Sequence, residues 1–208
     1  MRSNPERLKE FVDGLTINVS EWFRNPEKFA ELEQWVLPEL LRHFPRLRIW
    51  SAGCSIGSEI FSVAILLDRL GMLGCCELVG TDIDSEVLKN ASSGVFAPHE
   101  QKGLTAELID RYFVLLDGGY IQLRKDLASR VQFKQHNLLV KPFESGWQLI
   151  ICRNVAIYFN ENTKQRLHDT LYEALELNGI LFVGSTERIF NYRELGFVQF
   201  RSFFYQKR

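Results

Sequence analysis

The stretch from Arg48 to Leu67, RIWSAGCSIGSEIFSVAILL, sets the terms for the rest of the chain. An apolar run ends at Ile49 and Trp50, and a small-residue loop follows through Gly53, Cys54, Ser55 and Gly57. Phe61, Ala64, Ile65 and Leu67 then begin a helical pattern. Strand, tight loop and helix in that order make the nucleotide-binding turn of a doubly wound α/β sheet. Two glycines four apart are a weak signal by themselves, common in loops that bind nothing. The reading sharpens at Asp82, which closes the next apolar run in GTDID, 25 positions after Gly57. A carboxylate there can accept hydrogen bonds from both ribose hydroxyls of an adenosine lying over the loop.

The same residues argue against a dinucleotide. That ligand wants G-x-G-x-x-G, so that bare backbone and a helix N-terminus meet an anionic pyrophosphate. Here Ile56 stands three positions after Gly53, and Glu59 sits in the first turn of the helix. A carboxylate there repels pyrophosphate and suits a ligand that carries an ammonium and a sulfonium, which describes S-adenosylmethionine. Taken alone, Glu59 also fits a carboxylate that merely complements the helix dipole.

A chain of 208 residues makes one domain, or one with a small appendage, and buries about 70% of its unfolded surface without staples. Lys and Arg number 25 against 26 Asp and Glu with no long basic run, which gives no support for a nucleic-acid partner. No apolar run approaches the ~18 residues of a membrane span, and MRSNPERLKE has no signal-peptide core. Cys54, Cys75, Cys76 and Cys152 lack C-x-x-C spacing, so the thiols read as reduced and the protein as cytoplasmic, without membrane insertion. His43, His99 and His168 have no metal-ligand companions, and no metal is expected. His136 reads as a packed loop histidine.

In chain order, Asn4-Pro5 predicts a short helix to about Val12, stopped by Gly14. Leu15 to Phe23 reads as too polar and too short for a core element. Asn25 is expected to cap a longer helix whose first position is Pro26, with Phe29, Leu32, Val36, Leu40 and Phe44 on its buried face and Pro45 ending it. Strands are predicted at 47–51, 77–81, 147–152 and 179–184, with helices at 58–70, from Asp84-Ser85 onward, and at 162–177, where Asn178-Gly179 is the stop signal. Between 92 and 135 the rhythm breaks into a helix at 105–112 and short strands at 113–116, 120–123 and 131–134, the first two joined by Asp117-Gly118-Gly119. Residues 194–205 close the chain as aromatic-rich β structure. The pattern predicts an α/β sandwich with antiparallel character at one edge and a small antiparallel β-subdomain inserted at about 112–133. Residues 1–14 form a short N-terminal helix in this reading, and 15–208 form the main domain.

Six stretches, NVSEWFRNP (18–26), SAGCSIGSEIFS (51–62), GTDID (80–84), HNLL (136–139), CRNVAIYF (152–159) and NGILFVGSTE (178–187), carry a resemblance in order and spacing. Together they resemble the S-adenosylmethionine-dependent glutamate methyltransferases of bacterial chemotaxis, the CheR type, from about Thr16 to the end of the chain. The resemblance implies a Rossmann-like methyltransferase fold, S-adenosylmethionine as cofactor with S-adenosylhomocysteine as product, and a methyl-accepting chemoreceptor or related signalling protein as partner.

Carried over motif by motif, it implies that Asn18, Ser20 and Arg24 lie beside the methionine end of the cofactor. Glu59 takes the ammonium, and Asp82 takes the ribose. Asn137 and Leu138 flank the adenine, Arg153 and Asn154 follow the fourth core strand at the cofactor's edge, and Gly53 is counted with the cofactor-binding residues. Arg24 and Tyr158 face the reacting centre as the catalytic pair. Outside these motifs each has a plainer reading: Arg24 a surface arginine, Tyr158 an amphipathic core residue, Asn18 and Asn154 turn residues.

Three departures from the family pattern are visible. Gly57-Ser58-Glu59-Ile60-Phe61 stands where the family carries Gly-Glu-Glu-Pro-Tyr, which keeps the second glutamate and is expected to soften the helix start. Only about fourteen residues precede the motif region, so the usual helical N-terminal domain is expected to be absent. The Asp117–Gly119 turn is tight, and no docking of a receptor tail peptide is expected. Two rival readings stay open: a non-catalytic S-adenosylmethionine-binding signalling module, and a methyltransferase acting on a small carboxylic acid. A nucleotide-dependent oxidoreductase is disfavoured by Glu59, and a monomer is favoured.

Overall fold

The structure, a computed structural model, describes residues 20–140 and 143–208, so the predicted helix before Gly14 and the candidate Asn18 lie outside the described residues. Pro26 opens a helical run made of α1 (Pro26–Glu31), a π turn (Leu32–Val36) and α2 (Leu37–His43). The π turn has a local cause. Pro38 brings no amide hydrogen to the ladder and its ring would crowd the preceding turn, and the Leu37 N–H reaches back five residues to the Leu32 carbonyl. Phe29, Leu32, Val36 and Leu40 are buried, as their spacing predicts, and Leu37 joins them. Phe44 is extended before Pro45, which disfavours helical backbone in the residue it follows.

Strand β1 (Leu47–Ala52) leads through the glycine loop into α3 (Ser58–Arg69). Ile60, where the family pattern has proline, is fully buried, and the helix starts cleanly at Ser58. Then come β2 (Cys76–Asp82) and α4 (Ser85–Ser93), whose first turn is capped by the Asp84 carboxylate accepting from the Glu86 N–H at 2.8 Å. Next are β3 (Val95–Phe96), α5 (Ala106–Tyr112) capped by Thr105, β4 (Phe113–Leu115), β5 (Ile121–Leu123) and α6 (Lys125–Ala128). The chain ends with β6 (Val131–Gln135), β7 (Trp147–Cys152), α7 (Glu161–Ala174), β8 (Leu175–Val183), β9 (Phe197–Arg201) and β10 (Phe204–Lys207).

Seven strands form one sheet in the order β6-β2-β1-β7-β8-β10-β9. The first five are parallel, and β10 and β9 add antiparallel pairs at one edge. Successive residues of β1 point to opposite cores: Ile49 joins the α1, α2 and α3 side with Phe61, Ile65 and Phe182, and Trp50 joins the α7 side with Leu167, Leu171 and Tyr205. All six residues of β7 are buried, as a central parallel strand covered on both faces requires.

Three sequence expectations change. The candidate strand at 131–134 lies in the main sheet beside β2, and the small antiparallel sheet, β3-β5-β4, recruits Val95–Phe96 instead. Helix α7 ends at Ala174, short of Asn178-Gly179, and those two residues sit inside β8. Asn178 has φ 68°, and the pairing jumps from Trp147 opposite Leu175 to Leu149 opposite Ile180, so they form a bulge and not a helix stop. Finally, the 15–23 segment holds a core residue. Trp22 is 1% exposed, packed edge-on against Phe96 and Phe113 and stacked on Phe61.

Candidate active site

The C-terminal ends of β1, β2 and β7 meet where an open α/β sheet conventionally holds its ligand. The loop after β1 is tied across to β2: the Gly53 and Cys54 amides both donate to the Thr81 carbonyl, at 2.8 and 2.9 Å. Asp82 closes the tie from the other side. Its Oδ2 accepts from the Ser55 N–H at 2.8 Å and its Oδ1 from the Asp84 N–H at 3.1 Å. A carboxylate has about four acceptor sites, so two oxygens held in place this way still have lone pairs for ligand hydroxyls. Gly53 is required on two counts. Its φ is 78°, and a Cβ there would collide with the Val155 side chain of the loop after β7.

Glu59, in the first turn of α3, turns back towards β1. Its Oε1 accepts from the Ser51 hydroxyl at 2.7 Å, and its Oε2 lies 3.5 Å from Arg153 Nη1. Burial raises the Glu59 pKa above the ordinary carboxylate value, and Arg153 and Ser51 pull against that rise. Arg153 is 6% exposed. Its guanidinium stacks over Phe182 at 4.6 Å, and its Nη2 donates to the Arg24 carbonyl at 3.0 Å and to Asn25 Oδ1 at 2.7 Å. The Asn25 side chain is therefore not the helix cap its position predicts. It makes no capping bond, stands at φ 60° and serves Arg153 instead.

Arg24 is held from both flanks. Phe23 and Asn25 both adopt left-handed backbone, φ 48° and 60°, and the Phe23 N–H donates to Ser62 Oγ on α3 at 3.1 Å. The Arg24 charge is close enough to Arg153 to lower the latter's pKa, after burial and against the pull of Glu59. The fold thus brings Arg24, Glu59 and Arg153 into one cluster, with Ser20 half-buried just upstream.

The loop after β7 carries Asn154, at φ 61°, and a 3-10 turn, Ala156–Tyr158, on which Tyr158 is half-exposed. Sequence reading overlooked what holds this loop. Glu187, quoted above only as the last residue of NGILFVGSTE, buries its carboxylate against the backbone amides of Asn154, Ala156, Ile157 and Gly184. On the far side, the His136 N–H donates to the Asp82 carbonyl at 2.9 Å and so brings Asn137 and Leu138 beside Asp82. Asn137 uses its Oδ1 on the Leu139 N–H, Leu138 is buried, and Ile83 stands 59% exposed next to Asp82.

Cys54 and Cys152 are buried, and burial pushes both thiols well above their ordinary range, which disfavours the reactive thiolate. Among the described residues no group of three or more His, Cys, Asp or Glu could hold a metal, and no helix is long and apolar enough to cross a membrane.

Comparison with known proteins adds a second line. A family model described as "CheR methyltransferase, SAM binding domain" matches residues 18–204. The chain is 35% identical over 202 residues to a chemotaxis protein methyltransferase of Listeria monocytogenes, covering 96% of this chain and 76% of that protein. It is 35% identical over 195 residues to the chemotaxis protein methyltransferase of Salmonella typhimurium, covering 90% and 66%. Against the Escherichia coli protein of the same name it is 36% identical over 184 residues, covering 85% and 63%.

Proposed function

The chain belongs to the CheR methyltransferase family of S-adenosylmethionine-dependent enzymes, and from that premise we propose that it esterifies glutamate side chains of a chemoreceptor-like protein. The observation that carries the proposal is the charge order at the strand ends: one half-buried carboxylate, Glu59, paired with buried Arg153, with half-buried Arg24 beside them. The methionine end of the cofactor is itself an ammonium next to a carboxylate, so an acid beside a guanidinium is its complement. In this reading Glu59 takes the ammonium, Arg153 stays charged and orders the segment 24–25, and Asp82 takes the ribose. Leu138 with Asn137 borders the adenine, and Ile83 adds an apolar surface there. Gly53 keeps the loop low enough for the ligand, and Asn154 and Ser20 border its reactive end. Residues 15–208 act as one methyltransferase domain.

The cofactor supplies a methyl group already activated on sulfonium. A glutamate carboxylate, with a reference pKa of about 4.3, is ionised at neutral pH and needs no general base. The work left to the chain is alignment. Arg24 receives the incoming carboxylate through a forked hydrogen bond, and the Tyr158 hydroxyl aims one of its oxygens along the line of transfer. Arg24 must not hold the carboxylate too tightly, because stabilising the ground state slows the step.

The test is methyl transfer from labelled S-adenosylmethionine to the cytoplasmic part of a chemoreceptor. The label is expected in protein and to be released as methanol by mild base, the signature of an ester. Arg24→Ala is expected to lower kcat/KM about a hundredfold, and Tyr158→Phe about tenfold, equivalent to about 2.7 and 1.4 kcal/mol. Base-stable label, or full activity in both variants, would remove the proposal. A variant-independent absence of transfer with intact cofactor binding would point to the non-catalytic reading, and ester formation on small acids alone would point to the other.

A further inference from the structure

Glu187 has no part in the reaction as just described, yet its surroundings are more specialised than any other buried acid's among the described residues. Its Oε2 accepts from the Asn154 and Gly184 amides, and its Oε1 accepts from Ala156 at 2.7 Å and Ile157 at 3.3 Å. Four backbone donors from two separate loops converge on one carboxylate that is 8% exposed. A loop that needs only to close satisfies its amides with carbonyls or water. This one spends a buried charge, which is costly unless its bonds are complete. Gly184 is part of the same construction. Its φ is not in the left-handed region, but a Cβ there would overlap Glu187 Oε2 and crowd the Asn154 nitrogen, so the glycine exists to let the acid in. The three amides on the loop after β7 belong to the turn that holds Asn154 at φ 61° and delivers Tyr158.

We propose that Glu187 is a positioning residue for methyl transfer: it locks the Asn154–Tyr158 turn from behind and thereby sets the aim of Tyr158. The proposal rests on the reading of Tyr158 given above. Glu187 also faces the cofactor cluster electrically. The groups around Glu59 are Ser51 on β1, the thiols of Cys54 in the loop after β1 and Cys152 at the end of β7, Arg153 after β7 and Glu187 after β8, and Glu187 is the one carboxylate among them. Arg153, in turn, faces Arg24, Asn25, Glu59 and Glu187.

Two variants separate geometry from charge. Glu187→Gln keeps the shape but turns an NH2 towards the amides, so the bonds to one oxygen are lost. Gly184→Ala keeps the charge but displaces it. Both are expected to lower kcat about tenfold or more, as loss of one or two charge-assisted bonds implies, while the dissociation constant for S-adenosylmethionine stays within about threefold. Amide exchange is expected to speed up at Asn154, Ala156, Ile157 and Gly184 in both variants, with protection elsewhere retained. Glu187→Gln alone is expected to shift the acid limb of cofactor binding to lower pH, because a like charge near Glu59 is gone. Glu187→Asp serves as the conservative rescue and is expected to recover part of kcat and of the amide protection. Unchanged kcat with deprotected amides would overturn the proposal, as would equal losses of kcat and cofactor affinity or general loss of protection. Should the wild type fail to methylate receptors, the substrate reading falls, and the exchange pattern and the pH limb still decide whether Glu187 holds the turn and faces Glu59.

Discussion

Replacing Glu59 with glutamine is expected to weaken S-adenosylmethionine binding about a hundredfold, about 2.7 kcal/mol, measured by calorimetry on the purified protein. The side chain keeps its shape, and its remaining carbonyl can still accept from Ser51, so the loss isolates the charge. Ser51→Ala, which removes the 2.7 Å hydroxyl contact but leaves the carboxylate, is expected to cost less, about threefold to tenfold. If Glu59→Gln bound the cofactor within about threefold of the wild type, the ammonium would have to sit elsewhere, and the charge order at the strand ends would lose its meaning.

With Glu59 in the proposed role, cofactor binding is expected to carry a pH signature of definite sign. Burial raises the Glu59 pKa, and only the ionised form pairs with an ammonium. Affinity is therefore expected to fall as pH drops through that raised pKa, at a higher pH than an ordinary glutamate, near 4.3, would set. Stability without cofactor runs the other way. A carboxyl whose folded pKa is raised contributes stability that is present at low pH and lost as pH rises through the folded value. The stabilisation produced by added cofactor is accordingly expected to grow with pH across that window. In Glu59→Gln both trends should flatten, and a limb that survived the substitution would have to come from another group.

How much of this was legible in the sequence depended on how local the cause was. The β1–loop–α3 turn, the helix start at Asp84-Ser85, and the buried β7 strand each follow from a handful of adjacent residues, and all stand where the spacing put them. The errors share a different cause: a partner far along the chain. Asn25 reads as a helix cap until Arg153, 128 positions away, claims its Oδ1. Asn178-Gly179 reads as a helix stop until β7 pairs past it and turns it into a bulge. Strand 131–135 reads as part of the small sheet because nothing in its own sequence says that β2 will be its neighbour. Glu187 was unreadable for the same reason, since three of its four donors lie about thirty residues upstream. Its trace in the sequence is the glycine three positions before it, and a glycine–acid pair at that spacing says nothing until a second loop is brought alongside.

Trp22→Ala is expected to cost the protein more stability than any other single change considered, about 3–5 kcal/mol, or a midpoint lower by about 10 °C or more. Trp22 is the residue on which the small sheet, α3 and the start of the Phe23–Asn25 segment meet. Its ring packs against Phe96 at 4.9 Å, Phe113 at 5.3 Å and Phe61 at 6.3 Å, its indole N–H donates to the Glu100 carbonyl at 3.0 Å, and its backbone N–H donates to Lys102 at 3.0 Å. The opposing loop has no room to spare. Gly103 stands at φ 94°, and a Cβ there would run into the Trp22 carbonyl, so Gly103→Val is expected to pry the same joint open from the other side. Trp22→Phe is the informative partner. It keeps most of the ring contacts and strands the Glu100 carbonyl, at a cost of about 1–3 kcal/mol that leaves the protein folded at room temperature. Arg24 lies two residues further on, with Phe23 pinned to Ser62 between them. Looseness at position 22 is therefore expected to reach the guanidinium proposed to align the incoming carboxylate, and Trp22→Phe should lose kcat by about tenfold while its far-ultraviolet spectrum stays native. A Trp22→Ala midpoint within about 3 °C of the wild type would mean that the small sheet is held by other contacts and that Arg24 is positioned without it.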